Sequence, residues 1–254
     1  MPASMDKTPS LDNLKLLLIQ ARTDPAILDQ EMQCFVERCR VAPHQIASVN
    51  VCMEPLPDDA FSAYDAIFIG GAGEFSAKND YDWMPALLAL VQTADQRAFP
   101  LLGSCWGHQI IARALGGKVI YDKDLTEMGC HWIELNTAGQ QDTLFKNFPT
   151  RFKANMGHHD RVSVLPQEAV NLAFSDTQSN QAFRIADKPI YGTQFHSELD
   201  AAREKERLYA YRDHYTEVET EEAFQEIIAG LAKTTEVDEL LYKFLVSYVA
   251  HPTR

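Results

Sequence analysis

The chain contains no run of ~18 uncharged apolar residues, the length needed to span a bilayer. Met1 to Ser10 lacks the apolar centre of a signal peptide, so nothing there directs export. Cysteine is sparse: Cys34, Cys39, Cys52, Cys105 and Cys130 form an odd, scattered set without a C-x-x-C pair. Such a set suits neither a disulfide framework nor a zinc site and fits a reducing cytoplasm. Positive charge is also short. The 23 Lys+Arg stand against 36 Asp+Glu, and the net charge of −13 disfavours binding to nucleic acid or an anionic membrane. With 12 Gly, 12 Pro and no internal repeat, collagen-like, low-complexity and disordered classes are excluded. What remains is 254 residues, 46% apolar and 23% charged, enough to bury a sizeable core.

Short apolar runs alternate with helical spacing in the first half. Leu14 to Ile19 is a continuous apolar run, as in a strand covered on both faces of a parallel sheet. Asp24 and Pro25 supply an N-cap and a first-turn proline for a helix over residues 25–40. Strands are expected over Ile46–Met53, Ala66–Ile69 and Phe99–Leu102, with helices over Trp83–Ala94 and Gln109–Leu115. This alternation implies βαβ units and a parallel sheet. From Lys118 to His196 the runs become shorter and strand-like, so antiparallel excursions are expected. Residues 200–254, with 7 Lys+Arg and 12 Asp+Glu, carry helical periodicity and read as two or three amphipathic helices. The expected organisation is a loose tail at 1–10, an α/β domain at 11–200 and a helical extension at 201–254 packed on that domain. The acidic run from Glu217 to Glu222 reads as a solvated helix start.

Gly103-Ser104-Cys105-Trp106-Gly107 lies between an apolar strand and a helix, the setting of a nucleophile elbow. Flanking glycines allow a sharp turn, and the N–H groups and positive dipole end of the following helix favour a thiolate. A base is available in Gln194-Phe195-His196-Ser197-Glu198. His196 and Glu198 are two apart, so in extended chain they share a face, and Glu198 can orient the imidazole toward Cys105. His158-His159 invites a metal reading. Adjacent side chains on extended backbone diverge, however, and no further ligand completes a set, so no metal is expected. Glu127-Met128-Gly129 is either a pocket-edge segment or a simple turn. Trp83, Trp106 and Trp132 lie too far apart in sequence to argue an aromatic platform.

Gly103-Ser104-Cys105-Trp106-Gly107-His108-Gln109 resembles the G-x-C-x-G-x-Q signature of class I (triad) glutamine amidotransferases. Thr193 to Glu198 resembles that family's Q-F-H-P-E segment, and Gly70-Gly71-Ala72-Gly73 stands where the family has its oxyanion loop. Met156-Gly157-His158-His159-Asp160-Arg161-Val162 is similar to the M-S-H-G-D-x-V segment of GMP synthetase amidotransferase domains. Three departures stand out: Ser197 for the usual Pro, His159 for a common Gly, and Gly-Gly-Ala-Gly-Glu-Phe for Gly-Gly-Pro. The resemblance implies an open, mostly parallel flavodoxin-like sheet flanked by helices. It also implies a Cys105–His196–Glu198 triad, an oxyanion hole from the N–H groups of Gly71 and Trp106, and substrate contacts at Gln109, Gly157 and His158. Glutamine or a γ-glutamyl compound would be the substrate, with no cofactor. The chain has no S-G-G-x-D-S segment and no G-x-x-x-x-G-K-[ST] loop, so acceptor activation is expected on a separate synthetase subunit. The alternatives are a γ-glutamyl peptide or conjugate hydrolase with the same triad and an inactive binding module.

Overall fold

Leu16–Gln20 (β1) is buried along its whole length, because both pleat faces are apolar and both are covered. In the computed structural model, which describes residues 10–215, 218 and 220–250, the chain continues through α1 (Pro25–Cys39), β2 (Ile46–Asn50), α2 (Ala60–Ala63) and β3 (Ala66–Ile69). It then forms α3 (Met84–Arg97), β4 (Leu101–Ser104), α4 (Trp106–Ala114), β5 (Lys118–Tyr121), β6 (Glu127–Leu135) and α5 (Thr137–Gln141). The strands β7 (Arg151–His158), β8 (Asp160–Val164), β9 (Ala169–Ser175), β10 (Ala182–Ile185) and β11 (Ile190–Thr193) follow. Helices α6 (Ala201–Ala210), α7 (Glu221–Gly230) and α8 (Leu240–Tyr248) complete the described chain. The tail expected at 1–10 lies, but for Ser10, outside the described residues, as do Glu217 and Glu219 of the acidic run.

Nine strands form one mixed sheet in the order β2-β1-β3-β4-β11-β10-β9-β6-β7. The ladders from β2 to β11 are parallel, and those from β11 to β7 are antiparallel. The antiparallel part thus extends the main sheet rather than branching from it. β5 and β8 pair separately as a two-stranded ribbon. Leu16 and Leu18 face a cluster with Phe35 of α1 and Phe244 of α8, while Leu17 and Ile19 face Leu87 and Val91 of α3 and Ile110 of α4. Helices therefore cover both faces of the parallel half, with the amphipathic stripe of α8 buried against α1 and the sheet. Among the described residues no helix is long and apolar enough to cross a membrane.

Register sets the site. Thr193 lies opposite Ser104, and Gly103 opposite Ile69, so the carboxyl ends of β3, β4 and β11 open on the same edge. In open α/β sheets that edge is where ligands bind. Cys105, His196 and the glycine loop after β3 are brought together there across 91 positions of sequence between the cysteine and the histidine.

Candidate active site

Cys105 caps α4 with φ 51° and ψ −100°, a backbone conformation rarely adopted by a residue with a Cβ. The flanking glycines are required by close approach. A Cβ on Gly103 would lie 2.3 Å from the carbonyl carbon of Gly107, and one on Gly107 would lie 2.2 Å from the Ile69 oxygen. Gly107→Ala is expected to cost ~1–3 kcal/mol or more by overpacking, read as a lowered urea midpoint; an unchanged midpoint contradicts the elbow geometry. The backbone N–H of Cys105 donates to Thr193 O at 2.8 Å, tying the elbow to the histidine-bearing strand. Trp106, the first helical residue, has no intrahelical acceptor for its N–H.

His196 Nδ1 lies 2.8 Å from Glu198 Oε1, and the ring lines one cavity with Cys105. Glu198 is wholly buried and accepts further from Ser104 Oγ at 2.5 Å and Arg207 Nη1 at 3.2 Å. Burial opposes its ionisation, but His196, Arg207 and Ser104 outweigh it and hold the carboxyl well below the usual range. Burial likewise acts to lower the His196 value, yet Glu198, aided by Glu204 and Cys105, raises it well above the ordinary one. The imidazole therefore keeps a proton to give. Gln194 Nε2 reaches Cys105 Sγ at 3.8 Å, and Gln109 Nε2 donates to Gln194 Oε1 and to the Asp160 carbonyl.

A cleft of about 180 Å³ opens beside the sulfur, lined by Gln109, Gly157, His158 and Asp160 among others. The ring nitrogens of His158 both face acceptors: Nδ1 the Asp160 carbonyl at 3.0 Å, Nε2 Glu127 at 3.2 Å. Glu127 is buried, and His158, Ser175 and Thr177 overcome the desolvation to hold it down at about 2. Glu127 is thus an internal support for the cleft wall, beyond both the turn and the pocket-edge readings. His159 lines the cleft as well, its ring 5.1 Å from that of Tyr215.

One expectation is corrected. The N–H of Gly71 donates to the buried Glu31 carboxylate at 3.1 Å and is not turned to the cleft, because that carboxylate requires donors on every side. Ala72 and Gly73 line the cleft instead. Trp83 and Trp106, far apart in sequence, meet at 5.9 Å with Tyr81 stacked on Trp83, since α3 and α4 pack side by side. Sequence reasoning missed Ser104, Gln194, Glu31, Glu204 and Arg207. The last two sit on α6, whose charged sequence resembles a solvated helix although Glu204 is 1% and Arg207 4% exposed.

The other thiols are quiet. Burial raises Cys34 to about 12, Cys52 to about 11, and also Cys39 and Cys130. Iodoacetamide near neutral pH is expected to label Cys105 first, as mapped by peptide mass spectrometry. Equal labelling of several cysteines removes the special standing of the elbow.

The family model described as glutamine amidotransferase class-I matches residues 29–214. One subunit of the glutamine-hydrolyzing GMP synthase of Methanothermobacter thermautotrophicus is 35% identical over 119 residues, which are 47% of this chain and 62% of that protein. Its counterpart in Methanococcus vannielii is 39% identical over 100 residues, 39% of this chain and 51% of that one. The chain thus spans about half to three-fifths of these relatives. A glutamine amidotransferase from Thermotoga maritima has the same fold, with TM-score 0.69 and 22% identity over 94% of this chain and 99% of that one. A glutamine amidotransferase from Methylobacillus flagellatus, at TM-score 0.69 and 19% identity, covers 94% of this chain and 97% of its own. With a family model matching well over half its length, the chain belongs to the class-I glutamine amidotransferases.

Proposed function

We propose that the protein hydrolyses the side-chain amide of glutamine through Cys105, His196 and Glu198. The observation that carries this reading is the buried Glu198–His196 pair sharing one cavity with a cysteine held in a positive-φ elbow. Cys105 attacks the γ-carboxamide carbon as the thiolate, forming an S–C bond. The oxyanion takes the Trp106 N–H and a donor from the Ala72–Gly73 stretch, fixed groups of a kind worth ~10²–10³ in rate each. His196 gives its proton to the nitrogen, the C–N bond breaks and ammonia leaves. Water then attacks the γ-glutamyl thioester, its proton passes to His196, the S–C bond breaks and glutamate departs. Gln109 anchors the wall through Asp160 and Gln194, and the backbone at Gly157 and His158 meets the α-amino and α-carboxylate groups.

The ammonia is destined for an acceptor activated on another chain. The relatives from Methanothermobacter thermautotrophicus and Methanococcus vannielii, each one subunit of a GMP synthase, support a separate synthetase partner. The test is ammonia release from glutamine by the purified chain, with and without candidate synthetases, and acid trapping of a γ-glutamyl adduct on Cys105. Absence of both adduct and ammonia under all conditions refutes this reading.

A further inference from the structure

Helix α6 brings two buried charged side chains to the triad, Glu204 and Arg207, which stand three positions apart and so share one face of the helix. The helix is fixed from its other side: Arg203 meets both carboxylate oxygens of Glu37 on α1 at 2.7 Å. Glu204 and Arg207 line a small cavity beside Cys105 with about 20 Å³ of room, that of one water-sized molecule. Cys105 and Gly157 belong also to the larger cleft, whereas His196, Glu204 and Arg207 line only the small one. A Cβ on Gly73 would lie 2.5 Å from the Tyr211 ring, and one on Gly157 would lie 3.0 Å from Tyr215 Oη, so the walls have no slack.

Two polar atoms of these side chains go unanswered. Arg207 gives Nε to Gln30 and Nη1 to Glu198 and Glu31, while its Nη2 is buried without a partner among the described residues. Glu204 Oε2 is buried without one as well. A buried donor and a buried acceptor left unpaired each cost free energy. Neither answers the other, so the molecule that satisfies both accepts from a guanidinium and donates to a carboxylate. Water does both, and one water fills the room. A base must also lie within hydrogen-bond reach of the water it deprotonates. Glu198 takes His196 Nδ1, which leaves Nε2 of the ring in this wall for that task.

We propose that Glu204 and Arg207 are positioning residues for the hydrolytic water: Arg207 Nη2 donates to it, Glu204 Oε2 accepts from it, and both hold it against the γ-glutamyl thioester. The water oxygen bonds to the γ-carbonyl carbon and one proton passes to His196. The S–C bond then breaks, Cys105 leaves as the thiolate, and the new carboxylic acid loses its remaining proton to solvent as glutamate departs. Glu204 thereby serves the second half of the reaction and not thioester formation, whereas Arg207, which also holds Glu198, serves both. This rests on the glutamine-hydrolysis reading and adds to it a division of labour outside the triad.

The test separates the two halves in the full chain by rapid quench with glutamine. First-turnover ammonia release and kcat/KM report thioester formation, and decay of the acid-trapped adduct reports its hydrolysis. Hydroxylamine, a stronger nucleophile than water, captures the thioester as the γ-glutamyl hydroxamate. Glu204→Leu is expected to slow adduct decay ~10–100-fold, the scale of one charged-group hydrogen bond. Ammonia release in the first turnover and kcat/KM stay within about threefold of wild type, and the ratio of hydroxamate to glutamate at fixed hydroxylamine rises about tenfold or more. Should Glu204→Leu fail to fold, Glu204→Gln decides, with the same pattern at the lower end of that range. An equal loss in both halves with an unchanged hydroxamate ratio overturns the water site, because a merely structural role weakens both alike. Adduct decay at the wild-type rate in the folded variant overturns it as well, and in either case an adduct on the wild type leaves the triad reading standing. A wild type that yields neither adduct nor ammonia removes the water site and the underlying reading together.

Discussion

Cys105→Ala is expected to lower glutamine hydrolysis ~10⁴-fold or more, with little change in folding. The magnitude follows from the covalent route: without sulfur no thioester forms, and only the oxyanion donors and substrate positioning remain. Removing a buried Sγ from a turn fixed by Gly103, Gly107 and the Cys105-to-Thr193 hydrogen bond leaves that turn in place. Glu198→Gln probes the same array differently. Glu198 Oε1 accepts from both His196 and Arg207, so an amide nitrogen placed there confronts two donors. The imidazole is then turned or held in the wrong tautomer, and a fall of ~10²–10⁴-fold in kcat is expected. Because Glu198 helps hold the His196 proton, the alkaline limb of the rate profile should move to lower pH in this variant. An ammonia assay across pH, with urea unfolding as the folding control, checks both. A Cys105→Ala protein within tenfold of wild type eliminates nucleophilic catalysis at this position.

The elbow was legible because its requirements are local. A strand, two glycines, a cysteine and a helix carry the same steric meaning in sequence as in space, and Ala66–Ile69 forms a strand with the bounds that its apolar pattern implies. The proposed triad rests on a resemblance supported by an i, i+2 pair. Other features depend on long-range partners. Asp160–Val164 emerges as a strand only because β5 pairs with it, while Asp160 Oδ2 also receives the Ala77 N–H. Arg207 and Glu204 are charged residues on a helix whose pattern resembles a wet surface. Their burial follows from Glu31, Glu198 and His196 on other elements, which hydropathy along one helix does not register. Gly71 failed for a related reason: its N–H was assigned from the loop's resemblance, whereas a carboxylate 40 positions upstream claims it.

That carboxylate carries the second large effect. Glu31 is fully buried and accepts from Arg22 Nη2 at 2.7 Å, Arg22 Nε at 3.0 Å, Gln20 Nε2 at 3.1 Å and the Gly71 N–H, with Arg207 Nη1 at 3.4 Å. Glu31→Leu strands the Arg22 guanidinium, 1% exposed at the residue level, and takes one of its partners from the equally buried Arg207. The expected loss is ~3–5 kcal/mol, the scale for removing one partner of a buried ionic cluster. The same cluster sets an acid limit. Burial acts to raise the Glu31 value, but Arg22 and Arg207 lower it below the ordinary 4.5, and Glu127 falls to about 2 beside His158. A carboxyl lowered on folding adds stability above its unfolded value and loses it as pH falls through the folded one. By that sign the Glu127 contribution is present above pH 4.5 and lost as pH falls toward about 2. Urea unfolding should show wild-type stability declining below pH 4.5, and Glu31→Leu declining less steeply from a lower plateau. Replacing both partners, Arg22→Met with Glu31→Leu, should recover part of the loss because one stranded charge is removed. Activity should not return with it, since Gly71 still lacks its acceptor and the loop beside Cys105 is no longer held. Recovery of full turnover in that double variant would show that Glu31 serves stability alone.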